Sequence, residues 1–173
     1  NYADVLKDAQ KLGYAESDPA ADVEGSDAAD KIAILSGLAF GGAINRANIP
    51  TTGINLLEAI DVNYARKLGY GIKLLAISEK DRTQSKNEDS QPLSIWVEPT
   101  LVPEENPLAG VSGVNNAILV EGNPIGQVMF FGPGAGSGPT ASAVVADILN
   151  IAGIHTMNEN KVLNLDPLLS AKS

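Results

Sequence analysis

The hydrophobic period of this chain changes at Gly69, and that change constrains the fold more than any other feature of the sequence. Before it, apolar residues recur at helical spacing. Val5, Leu6, Ala9 and Leu12 mark a helix over residues 3–12 that Gly13 closes. Ile32, Ala33, Ile34, Leu35, Leu38 and Ala39 are apolar on nearly every face, which predicts a second helix, buried between layers and ending at Gly41-Gly42. Leu57, Ile60, Tyr64 and Leu68 line one side of a third helix within residues 53–70. After Gly69, residues 70–78, 92–102, 115–122 and 125–132 read as strands. The polar stretch 79–91 is a loop between the first two, and "EGNPIG" (121–126) is a tight connection that makes the last two adjacent and antiparallel. "TASAVVADILNIA" (140–152) supplies a last helix. Helices and antiparallel strands segregated in this way predict an α+β fold, with a largely antiparallel or mixed sheet covered on one face by helices. Residues 1–152 are expected to form one domain. Residues 153–173 are weakly periodic and read as a linker or tail, and no internal repeat is present.

Composition removes several classes of function. The 173 residues are 44% hydrophobic and 19% charged, with a mean hydropathy of +0.02, as in soluble globular domains. The longest uncharged apolar run, "IAILSGLAFGGAI" (32–44), falls short of the roughly 20 residues that cross a bilayer, so no membrane partner is expected. A net charge of −9, with Lys and Arg scattered along the chain, argues against nucleic acid. The lack of cysteine excludes disulfides, thiolate nucleophiles and Cys-ligated zinc, and the absence of a signal-like amino terminus fits a cytoplasmic or stromal protein. One histidine, His155, rules out a multi-histidine metal site within a single chain, and no metal ligands are assigned. His155 reads as an incidental surface residue and Trp96 as sheet packing. The opening "NYADVLKDAQKLGY" begins inside an amphipathic pattern and without methionine, which reads as an excised piece.

Two stretches could carry chemistry. Between Gly13 and Lys31 fall Glu16, Asp18, Asp22, Glu24, Asp27 and Asp30, gathered at the mouth of the apolar second helix. Asp27 and Lys31 are four apart and share a helix face, so a carboxylate can hold an ammonium in place. Two readings stand. In one, Asp27 caps the helix, Asp30 favours its first turn and Lys31 is half of a weak surface pair. In the other, Lys31 is a general acid oriented by Asp27, while Glu16 and Asp22 hold a cationic part of a substrate. The second stretch, "FGPGAGSGPTASAVVADI" (131–148), is a glycine-rich turn between a strand and a helix, open to close approach by a ligand. It lacks the Gly-Lys-Ser/Thr ending of a phosphate-binding loop and follows antiparallel strands, so a purely structural turn is an equal reading.

Taken in order, "YADVLKDAQKLGYAESDPAADVEGSDAADKIAIL" and "NPLAGVSGVNNAILVEGNPIGQVMFFGPGAGSGPTASAVVADI" resemble homoserine dehydrogenase over roughly residues 2–152. The resemblance implies a substrate-binding and catalytic domain, incomplete at its amino terminus. It also implies interconversion of aspartate 4-semialdehyde and homoserine with NADP or NAD, on the route to threonine, methionine and isoleucine. Carried over to this sequence, it makes Lys31 catalytic with Asp27 as its partner, and gives Glu16 and Asp22 the substrate's amino group. Gly136 and Gly134 would lie against the cofactor's nicotinamide end. The family's dinucleotide-binding domain, opening strand and cation-binding loop would lie upstream of Asn1, so the isolated chain is expected to be inactive. Pairing through the sheet implies a homodimer. A non-catalytic dimerisation or scaffold module is the alternative. Aspartate-semialdehyde dehydrogenase, a neighbouring class, is disfavoured because its acylating chemistry needs a cysteine.

Overall fold

The computed structural model describes residues 7, 10, 11, 18–80, 92–134 and 136–162. Most of the expected first helix and the 81–91 loop therefore lie outside the described residues. The order is α1 (Ala20–Val23), α2 (Ser26–Phe40), a 3₁₀ turn (Arg46–Asn48), α3 (Ala59–Lys67), β1 (Tyr70–Lys80), β2 (Leu93–Pro103), β3 (Asn115–Gly122), β4 (Gly126–Pro133) and α4 (Ser137–Val162). The architecture is α+β with antiparallel strands, as the change of period implies. Among the described residues the strands form two two-stranded sheets, β1–β2 and β3–β4, a finer division than one covered sheet.

In the first sheet, Ala76 pairs with Val97 and Ser78 with Ile95. Leu74, Ala76, Ser78, Ile95 and Val97 thus share one face, because strand side chains alternate. That face packs on α2: Ala29, Ile49 and Val97 are buried together, with Ile32, Ala33, Ile44, Leu74, Ala76 and Ile95 around them. The Ser36 hydroxyl donates to Ser78 Oγ across the contact at 2.8 Å, which supplies a partner to a buried polar group. On the other face, the Lys73 ammonium donates to the Val111 carbonyl and ties β1 to the 104–114 loop.

Three expectations need correction. α2 is buried on one face only, since Ile34 and Leu38 are exposed and no second layer covers them among the described residues. The third helix starts at Ala59, later than the apolar pattern suggests. Asp61 Oδ2 accepts from Glu58 N–H at 2.9 Å and fixes its amino end there, while Ile54 N–H is bonded to Val23 O. The last helix runs to Val162 instead of stopping near 152, because Gly153 is accommodated within it. The connection between β3 and β4 is as short as "EGNPIG" implies, with Gly122 opposite Gly126. Trp96 sits half-buried on β2, its Nε1–H donating to Glu98 Oε1 at 3.1 Å. The side chain of His155 lies outside the described residues.

Candidate functional site

The acidic stretch is shaped by two tight turns. Asp18 Oδ1 accepts from Ala20 N–H at 3.1 Å and starts α1, which places Asp22 in its first turn, exposed. Gly25 then reverses the chain into α2 with φ +82°, a conformation that glycine adopts without penalty. It is also buried: a Cβ there would lie 3.2 Å from Thr51 Cγ2 and 3.3 Å from Val97 Cγ1. The amino end of α2 is therefore pressed onto the first sheet at Val97.

The 50–54 segment completes the anchorage. Thr52 N–H donates to Val97 O at 2.8 Å, Val97 N–H to Pro50 O at 2.9 Å, and Ile54 N–H to Val23 O at 2.8 Å. Gly53 passes so close to α1 that a Cβ would sit 2.6 Å from Glu24 Cα. The 50–54 segment thus ties β2, at Val97, to the end of α1.

On this support Lys31 Nζ donates to Asp27 Oδ2 at 2.6 Å, the i, i+4 contact that the spacing implies. Both side chains remain open to solvent, 56% and 43% exposed. A pair so exposed contributes about 0.3–0.5 kcal/mol to stability, so its consequence is orientation of the ammonium. Asp27 is in the first turn of α2 and is not its cap; Gly25 occupies that position. Asp30 is held by Arg46, whose Nε–H donates to Asp30 Oδ1 at 2.8 Å and whose Nη2–H reaches Ser26 O at 3.5 Å. Sequence reasoning missed Arg46, because sixteen residues and a turn separate it from Asp30 and no periodicity links them. Glu16 lies outside the described residues.

The glycine-rich turn belongs to the second sheet. Gly134 N–H donates to Val114 O at 2.9 Å, so the chain leaving β4 stays bonded to the residue before β3. Gly136 has φ +112°, and α4 begins at Ser137. Gly134 is exposed, with its N–H taken up by Val114 O and the position of a Cβ occupied by the Asn116 side chain. The structure brings Asp27 and Lys31 together and puts Asp22 on the adjoining helix. No hydrogen bond or ion pair among the described residues joins these groups to Gly134 or Gly136. Among the described residues there is no cluster of three or more potential metal ligands, and no helix long and apolar enough to cross a membrane.

Comparison with known proteins shows the family. The family model described as homoserine dehydrogenase matches residues 1–149. A homoserine dehydrogenase of Synechocystis sp. is 54% identical over 170 residues, covering 98% of this chain and 38% of that protein. The crystal structure of a homoserine dehydrogenase from Thiobacillus denitrificans superposes with a TM-score of 0.79 at 47% identity, over 90% of this chain and 34% of that one. A hyperthermophilic archaeal homoserine dehydrogenase mutant in complex with NADPH gives a TM-score of 0.62 at 29% identity, over 86% of this chain and 39% of that one. The chain thus spans little more than a third of the length of these relatives. A match over most of its residues, in sequence and in fold, means that this chain belongs to the homoserine dehydrogenase family.

Proposed function

We propose that these residues are the substrate-binding part of an oxidoreductase that interconverts aspartate 4-semialdehyde and homoserine with NADPH or NADH. The observation that carries the reading is the Lys31–Asp27 contact, at the start of a helix seated on the sheet, in a chain of this family. Reduction of an aldehyde turns its carbonyl oxygen into an alkoxide, which needs a proton donor within hydrogen-bond reach. Lys31 supplies that proton, and Asp27 holds the ammonium toward the oxygen. An amino-acid substrate also carries its own ammonium, which needs carboxylates; Glu16 and Asp22 serve that end. The nicotinamide cofactor supplies the hydride when bound. Gly134 and Gly136 fit its approach as a solvent-facing turn between β4 and α4, and Gly136 takes a backbone conformation that side chains rarely allow. NADPH is favoured as the probe by its presence in the archaeal relative's structure.

A homodimer is part of this reading. Both faces of β3–β4 are apolar and open, with Ile118, Val120 and Phe130 on one and Met129 and Phe131 on the other. A two-stranded hairpin is marginal by itself in water and gains stability from further strands or a packed element. The test is an assay of NADP⁺ reduction driven by homoserine, run on the full-length enzyme that carries these residues and on the 173-residue chain. Homoserine-dependent reduction by the former and none by the latter is the expected result. A full-length protein that binds NADPH yet never oxidises homoserine would leave the scaffold reading in its place.

A further inference from the structure

Gly134 and Gly136 need glycine for different reasons, and at Gly134 the reason is a side chain. Gly136 has φ +112°, so its requirement is conformational. Gly134 is not among the residues with positive φ. Its Cα is instead covered by Asn116: a Cβ built there would overlap the Asn116 carboxamide, with Oδ1 only 2.8 Å away. The hairpin register accounts for the contact. Asn116 on β3 pairs with Gly132 on β4, and Gly134 lies two residues further on the same face, the diagonal position that a polar side chain reaches across a strand pair. The crowding is local, since a Cβ on Gly132 would meet nothing within 4 Å. With Gly134 N–H bonded to Val114 O, the first residue of the turn is fixed from two sides, by a carbonyl and by a carboxamide. Asn116 and Gly134 are both exposed, so the amide and the turn form one solvent-facing surface.

We propose that Asn116 is a positioning residue for the cofactor: by packing on the Cα of Gly134, it sets where the glycine-rich turn presents its backbone to the nicotinamide end. This rests on the reading of the turn given above. A misplacement of the backbone by a fraction of an ångström weakens a ligand held by close approach, even when no contact atom is removed.

The test is a double-mutant cycle in the full-length enzyme, read as the Kd of NADPH by titration calorimetry, with Tm measured beside it. Asn116→Ala and Gly134→Ala are each expected to weaken NADPH about tenfold, by loss of the prop and by collision with it. The double variant should bind no more weakly than the poorer single one, because the new methyl group enters the space the carboxamide has left. The KM for homoserine and the Tm should stay close to those of the parent enzyme. A double variant weakened by the product of the single effects would overturn the proposal. So would single variants whose NADPH affinity matches that of the parent while Tm falls, since that result marks a structural residue only. Failure of the functional reading looks different, because the unsubstituted enzyme would then oxidise no homoserine.

Discussion

The two strand pairs have similar hydropathy and opposite surroundings. In β1–β2, Val97 is 1% exposed and sits under α2, between Ala29 and Ile49. In β3–β4, Phe130 and Phe131 are 62% and 58% exposed, and α4 adds Val144, Val145, Ile148, Leu149 and Ile151, all open. The first pair has a core of its own. The second has the composition of a core and nothing among the described residues to make it with. The first half thus holds Lys31 and Asp27 on a fixed seat, as the proposed acid–base role of Lys31 requires, whereas the second half offers apolar surface and a solvent-facing turn.

The largest effect that sharpens the contrast is chemical. Lys31→Ala in the full-length enzyme should lower kcat by about 10²–10⁴-fold, the range for loss of an acid–base group, while Tm changes little because the side chain is exposed. Near-normal turnover would remove Lys31 from the reaction. Glu16→Gln should instead raise the KM for homoserine by about 10–100-fold, as loss of a charged hydrogen bond does, with a smaller change in kcat. An unchanged KM would detach the acidic stretch from substrate binding.

Stability should separate the halves next. Val97→Ala in the 173-residue chain removes two buried methyl groups and is expected to cost about 2 kcal/mol in a denaturant titration. Phe130→Ser deletes far more apolar surface, yet from an exposed position, so it should cost less than about 0.5 kcal/mol while weakening self-association in sedimentation. Equal losses in the two variants would mean that β3–β4 is already covered and that the contrast is false.

How much of this the sequence discloses follows the reach of each interaction. The Lys31–Asp27 contact is written in a spacing of four, and the β3–β4 hairpin in a three-residue turn, so local rules suffice for both. The start of α3 is not, because Leu57 fits the helical period although Ile54 is bonded to α1. The exposure of one face of α2 is hidden for a related reason: Ile34 and Leu38 are apolar, but apolarity does not say whether a second layer is present. Gly53 and Asn116 carry no periodic signal at all. Asn116 could have been placed by counting back from the hairpin turn to the glycine opposite it; Gly53 required knowing that residues 50–54 pass between β2 and α1.

The smallest predicted effect asks what seats α2. Arg46 binds Asp30 and reaches Ser26 O, both on α2, so it is placed to hold the amino end of that helix from the surface. The core offers a rival anchor, through Gly25 against Val97 and Ala29 against the sheet. Exposed ion pairs contribute about 0.2–1 kcal/mol and weaken with salt, whereas close-packed contacts of a buried turn admit little movement. Arg46→Ala should therefore lower stability by less than about 1 kcal/mol and kcat by less than about twofold, both differences shrinking at high ionic strength. A tenfold loss of kcat with Tm unchanged would invert the order of importance. The surface pair, and not the buried crossing at Val97, would then be what aims Lys31.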